Sequence, residues 1–156
     1  CVLIADPAST RKLVHVIPND KLQEITPGAE TKIGEVTIKA EKCNHRAQTP
    51  VTYIITSEDK VKLYHTADSL PFPELALMAQ KELFDVVFCS VGIAPGVSPE
   101  TGFEIARLTR PPLAVPYHTA TVESQNQFAS LLKKELPQTA CLIPQQNKIY
   151  QITKQT

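Results

Sequence analysis

The stretch Val61-Lys62-Leu63-Tyr64-His65-Thr66-Ala67-Asp68-Ser69 separates two styles of sequence. Upstream of it, short segments alternate in polarity. Val36 to Lys42 sets Val36, Ile38 and Ala40 against Thr37, Lys39 and Glu41, the period of a strand with one wet face. Val51 to Thr56 is a β-branched strand, and Ser57-Glu58-Asp59-Lys60 reads as a hairpin into Val61–His65. Thr31–Ile33 forms a further strand after the turn signal Thr26-Pro27-Gly28-Ala29. Cys1–Ala5 is another, followed by a polar helix or turn around Ser9 to Val14. Together these segments predict an antiparallel meander.

Downstream the period lengthens. Phe72 to Leu83 places Leu75, Ala76, Ala79 and Leu83 on one helical face, and Asp85 to Ser90 is a solidly apolar strand. Ser98 is an N-cap with Pro99 at the first position of a helix to Thr109. Leu113–Pro116 is a short strand, Glu123–Leu136 a helix, and Ala140–Ile143 and Lys148–Thr153 two last strands. Strands separated by helices are the mark of βαβ units. The expected architecture is α/β, an α+β sandwich with a mixed sheet and outer helices, as one domain over residues 1–156.

The bulk properties narrow the function classes. With 42% hydrophobic and 21% charged residues, the chain has the composition of a folded globular domain. Its 16 basic and 16 acidic residues cancel, which removes the basic footprint that nucleic acid or an anionic membrane requires. No apolar run is long enough for a membrane span. The four cysteines, Cys1, Cys43, Cys89 and Cys141, form no C-x-x-C pair, and Cys43 and Cys89 are expected as reduced thiols. No secretory leader is visible, so the cytoplasm is the expected compartment. Because Cys1 already lies inside an apolar strand-like run, a segment upstream of it is expected.

Three of the four histidines, His45, His65 and His118, fall at strand ends or in the loops after them, as does Asp68. Scaffolds present functional groups at such positions. Imidazole and carboxylate at one sheet edge suit Zn²⁺ or Mn²⁺. Taken singly, each histidine reads first as a loop or satisfied core residue, and Asp68 as a turn former.

The order of motifs adds to this reading. Tyr64-His65-Thr66-Ala67-Asp68-Ser69 is similar to the Y-H-T-G-D-T segment of metallo-β-lactamase-fold hydrolases, in particular the branch of ascorbate-phosphate lactonase. Pro27-Gly28 with Ile33-Gly34-Glu35-Val36-Thr37-Ile38, Phe84-Asp85-Val86-Val87-Phe88, Ser98-Pro99-Glu100 and Leu113-Ala114-Val115-Pro116-Tyr117-His118 resemble further segments of that family, in the same order. The resemblance implies a metallo-β-lactamase-like fold of which this chain is the C-terminal part. It implies two metal ions, Zn²⁺ or Mn²⁺, bridged by Asp68, with His45 a ligand of one and His118 of the other. The implied reaction is hydrolysis of an ester, lactone or phosphoester by a metal-bound hydroxide. His65 takes a structural role and His15 faces solvent.

The family's H-x-H-x-D-H motif has no counterpart in the chain, and Ala67 and Ser69 stand where the family has Gly and Thr. Two readings therefore stand: a metallo-hydrolase whose remaining ligands lie outside this chain, or a non-catalytic binding or scaffold protein on the same fold. The expected partners are a small-molecule substrate, and either a further copy of the chain or an N-terminal segment.

Overall fold

The computed structural model describes residues 1–154. Strand β1 (Leu3–Ala5) leads into helix α1 (Pro7–Leu13), a 3-10 turn at Asn19–Lys21 and strand β2 (Leu22–Glu24). Strands β3 (Glu30–Ile33), β4 (Val36–Lys42), β5 (Val51–Thr56) and β6 (Lys62–His65) follow. Helix α2 (Glu74–Glu82), β7 (Val86–Ser90), α3 (Pro99–Thr109), β8 (Leu113–Tyr117), α4 (Val122–Glu135) and β9 (Ala140–Cys141) complete the order.

Strands β3 to β9 form one seven-stranded sheet in chain order. The pairs from β3 to β6 are antiparallel, and those from β6 to β9 are parallel. The mixed sheet expected from the two styles of sequence is therefore present, and β6 is the strand where they join. Short hairpins suffice for the antiparallel pairs, whereas each parallel pair needs a crossover, supplied in turn by α2, α3 and α4.

Alternation along each strand sorts the faces. Ile54, Tyr64, Val87, Cys89 and Ala114 turn toward the helices and pack with Leu75, Ile105, Phe128 and Leu132 in the main core. Tyr64 stacks on Phe84 with ring centroids 4.9 Å apart. At roughly 25 cal/mol per Å² of apolar area, this buried layer is the chief stabilising term. On the other face, Ala40 and Val51 pack with Ile25 and Ile4, so the small parallel β1–β2 sheet closes over β4 and β5.

Local chemistry sets the element ends. Ser98 and Thr101 form a reciprocal capping box at the start of α3, with Pro99 at the first position as expected. Gly102 lets α3 approach β7 so closely that a Cβ there would meet the Ser90 carbonyl oxygen at 2.7 Å. Pro116 sits inside β8 without breaking it. The carbonyl of Ala114 faces β9, whereas that of Tyr117 faces β7. Pro116 therefore turns its missing N–H toward the side where β9 has ended.

Four points of the sequence reading need correction. The helix read from Phe72 begins at Glu74, because Pro71 and Pro73 hold the preceding backbone out of the helix. Strand β2, absent from the sequence reading, is three residues long with only Leu22 apolar, too short for a polarity pattern. Lys148–Thr153 is not a strand, and Ala140–Ile143 shrinks to Ala140–Cys141. Pro144 interrupts the chain between them, and Ile149 stands 95% exposed with no neighbouring strand to bury it. All four cysteines are free thiols, Cys89 buried and Cys43 half-buried. No described helix is long and apolar enough to cross a membrane.

Candidate metal centre

The loop after β6 carries Asp68. Thr66 is fully buried and its carbonyl accepts from the Ser69 N–H at 2.9 Å, closing a tight turn. Within this turn Ala67 has φ 47°, the left-handed backbone that a glycine would adopt without cost. The Ala67 N–H donates to His65 Nδ1 at 3.2 Å, and the Tyr117 hydroxyl donates to the Ala67 carbonyl. His65 is paired across the sheet with Tyr53 on one side and Phe88 on the other.

Strand β8 brings His118 to the same edge. The backbone turns left-handed at His118 (φ 52°) as it leaves the strand, and His118 Nδ1 lies 2.6 Å from Asp68 Oδ1. Both side chains remain about one-third exposed, at 32% and 38%.

The loop after β4 is tied to this turn. Ser69 Oγ accepts from the Asn44 N–H, and the Asn44 carbonyl accepts from the Leu70 N–H, both at 2.9 Å. His45, next in the chain, borders two pockets. One, of about 320 Å³, is also lined by Asp6, Cys43, Tyr53, Ala67 and Asp68. The other, of about 390 Å³, is lined by Asn44, Arg46, Leu70, Pro95 and Gly96. His45 and Asp68 thus share a concavity, while Asp68 and His118 are in direct contact. His15 is exposed in the turn after α1, as expected.

Electrostatics at this edge are shaped by burial. Burial pushes the Cys43 thiol up to about 11, aided by the Asp68 charge and opposed by a hydrogen bond with Ser69, so Cys43 is a neutral thiol. Burial also holds His65 below the usual histidine range, with Asp68 pulling it up and His118 pushing it down. A neutral His65 keeps Nδ1 free as the acceptor its hydrogen bond needs. For Asp6, burial pushes the carboxyl up, but donors from Ser9, Thr49 and Ala8 outweigh it and hold the group below the usual range. Those bonds make Asp6 the cap of α1.

A metal ion needs several of these donors at once. Among the described residues no group of three or more His, Cys, Asp or Glu lies close enough to hold one. Asp68 and His118 meet each other and His45 faces the same pocket as Asp68, yet the three do not close a coordination shell. A tetrahedral zinc site takes four donors, so the side chains of this chain fit part of a metal site and not a whole one.

Sequence reasoning passed over Tyr117 and Ser90. Tyr117 directly precedes His118, and that adjacency was the available signal. The Ser90 hydroxyl is buried beside Thr66, whose Oγ1 accepts from the Ser90 N–H at 3.4 Å, and it has no hydrogen-bond partner among the described residues.

No family profile matches the chain. A UPF0173 protein of Pyrococcus abyssi is 29% identical over 102 residues, which is 65% of this chain and 47% of that protein. A UPF0173 metal-dependent hydrolase of Enterococcus faecalis is 33% identical over 75 residues, 47% of this chain and 33% of that protein. The chain thus spans half or less of these two relatives. Among solved structures, Igni18, a metallo hydrolase from the archaeon Ignicoccus hospitalis, superposes with a TM-score of 0.76 at 16% identity. It covers 92% of this chain and 65% of its own. The metallo-β-lactamase fold protein YhfI of Bacillus subtilis gives 0.69 at 13% identity, covering 90% and 61%. The mixed sheet, its three crossover helices and these structural likenesses show that the chain has the metallo-β-lactamase fold.

Proposed function

We propose that this chain supplies the Asp68–His118 edge of a metal-dependent hydrolase acting on an ester, lactone or phosphoester, with Zn²⁺ or Mn²⁺ as the metal. The observation that carries the reading is the 2.6 Å contact between Asp68 and His118, delivered from the ends of two parallel-side strands to the rim of a pocket that His45 also borders. A divalent cation, when bound, supplies Lewis acidity and an activated water. The side chains prepare for it. Asp68 brings negative charge and two oxygens to one spot. His118 and His45 offer imidazole nitrogen donors of the kind such a cation takes. Leu70 and Pro95 give the neighbouring pocket an apolar wall for the body of a small-molecule substrate. The remaining donors would come from outside the described residues, in a further segment or a second copy. The cytoplasm is the proposed compartment.

Metal analysis of the protein as isolated from its source tests the reading, alongside hydrolysis of a panel of aryl esters, lactones and phosphoesters. Bound Zn²⁺ or Mn²⁺ that disappears in Asp68→Ala together with activity is the expected result. A protein free of metal and inactive throughout would instead favour a non-catalytic binding or scaffold role, the reading supported by the absence of three convergent donors among the described residues.

A further inference from the structure

Asp68 owes its place to the residue before it. Ala67 carries a Cβ in a left-handed backbone (φ 47°), which disfavours that conformation by about five- to thirtyfold. Nothing in its own side chain compensates. Both of its backbone polar groups, however, are held by side chains from flanking strands. Its N–H donates to His65 Nδ1 at 3.2 Å, and its carbonyl accepts from the Tyr117 hydroxyl. The two holding rings lie against each other, with centroids 4.7 Å apart. Phe88 contacts both, stacked on His65 at 5.8 Å and edge-on to Tyr117 at 6.0 Å. Thr66 Oγ1 stands 3.5 Å from the Tyr117 hydroxyl and is a second neighbour on that side. These groups arrive from β6, β7 and β8, so the sheet itself fixes their spacing.

We propose that His65 and Tyr117 form a clamp that holds Ala67 left-handed and thereby sets Asp68 against His118. Both are positioning residues that act through the Ala67 peptide groups. The clamp takes the place of the conformational freedom that a glycine at position 67 would provide. It gives His65 a definite task, and it explains why a large hydroxyl-bearing ring occupies the position directly before His118. Its consequence for catalysis rests on the metal-hydrolase reading above, while the clamp itself does not.

The test combines Tyr117→Phe with Ala67→Gly, singly and together, in the full chain. Folding equilibria from urea titration are read beside the imidazole ¹⁵N signals of His118. Ala67→Gly alone should raise the folding constant by about fivefold, since glycine adopts this backbone without strain. Tyr117→Phe should lower it by about tenfold with Ala67 present, and by less than about threefold in the Ala67→Gly background. The His118 signals should move in Tyr117→Phe and return toward wild type in the double variant. A merely structural role for Tyr117 predicts equal losses in both backgrounds. Equal losses, unmoved His118 signals in Tyr117→Phe, or a destabilising Ala67→Gly would each overturn the clamp. Should Tyr117→Phe fail to fold, folding restored by Ala67→Gly supports the clamp, and if it is not restored the Ala67→Gly single variant decides. Absence of metal and of hydrolysis sinks the functional reading alone, whereas an unmoved His118 signal sinks the clamp alone.

Discussion

Asp68 and His118 meet through Oδ1 and Nδ1 at 2.6 Å, each at the end of a strand that points its C-terminus to the same edge of the sheet. Because both side chains are about one-third exposed, solvent screens the pair. Asp68→Ala should therefore cost only about 0.5–1 kcal/mol of stability. Any bound metal should nonetheless be lost. Equilibrium unfolding and elemental analysis of the same sample check both halves, and a large destabilisation would mean that the pair is structural.

Acidification should weaken the fold through His65. Burial depresses its pKa in the folded chain, so the folded state binds fewer protons than the unfolded one near the histidine range. The contribution is fully present above the unfolded value of about 6.5 and is lost as pH falls through the lower folded value. Protonation also converts Nδ1 from acceptor to donor, which removes the bond from the Ala67 N–H. Urea midpoints measured from about pH 8 to about pH 5 should fall in the wild type and fall less in His65→Phe. Parallel curves would exclude His65 as the source.

Gly102→Ala should destabilise the protein although alanine is the better helix former by about 1 kcal/mol. The added Cβ would meet the Ser90 carbonyl oxygen at 2.7 Å and Val91 Cγ1 at 2.8 Å. A strand carbonyl cannot swing aside as a flexible side chain would. Overpacking of this kind costs about 1–3 kcal/mol, so after the helix-propensity gain a net loss of about 1 kcal/mol is expected in thermal or urea unfolding. A stabilised variant would show that α3 can lift off β7 freely.

Ser90→Ala should be neutral or stabilising by up to about 1 kcal/mol, because it removes a buried hydroxyl that has no hydrogen-bond partner among the described residues. Denaturant titration reads this directly. A loss of more than about 1 kcal/mol would point to a buried water that the hydroxyl holds.

Much of the sheet could be read in advance, for a physical reason. Val36–Lys42 alternates apolar and polar residues, Val51–Thr56 is rich in β-branched ones, and Val86–Ser90 buries almost all of its residues, so each carries a clear pattern in its composition. Leu22–Glu24 pairs with β1 mainly through its backbone and leaves no such trace. Lys148–Thr153 has the composition of a strand, but a ladder needs a neighbour, which no local pattern reports. At the site, His45, Asp68 and His118 were legible as residue types at strand ends. That Asp68 and His118 touch depends on β6 and β8 flanking β7, a matter of topology. Tyr117 was hidden because its role runs through a backbone carbonyl, and hydrogen bonds to backbone carry little residue-type signal.

The change from antiparallel to parallel pairing at β6 also bears on the order in which the chain assembles. Pairings from β3 to β6 join segments close in sequence, whereas β7, β8 and β9 must each wait for a helix to cross over. Contacts with short loops to close form sooner. Amides of β4 and β5 should gain protection in pulse-labelled hydrogen exchange before those of β8. The opposite order would show that the helices recruit the sheet. If the meander leads, Asp68 is delivered early on β6 and His118 later on β8, so the pair at this edge reports that β8 has docked.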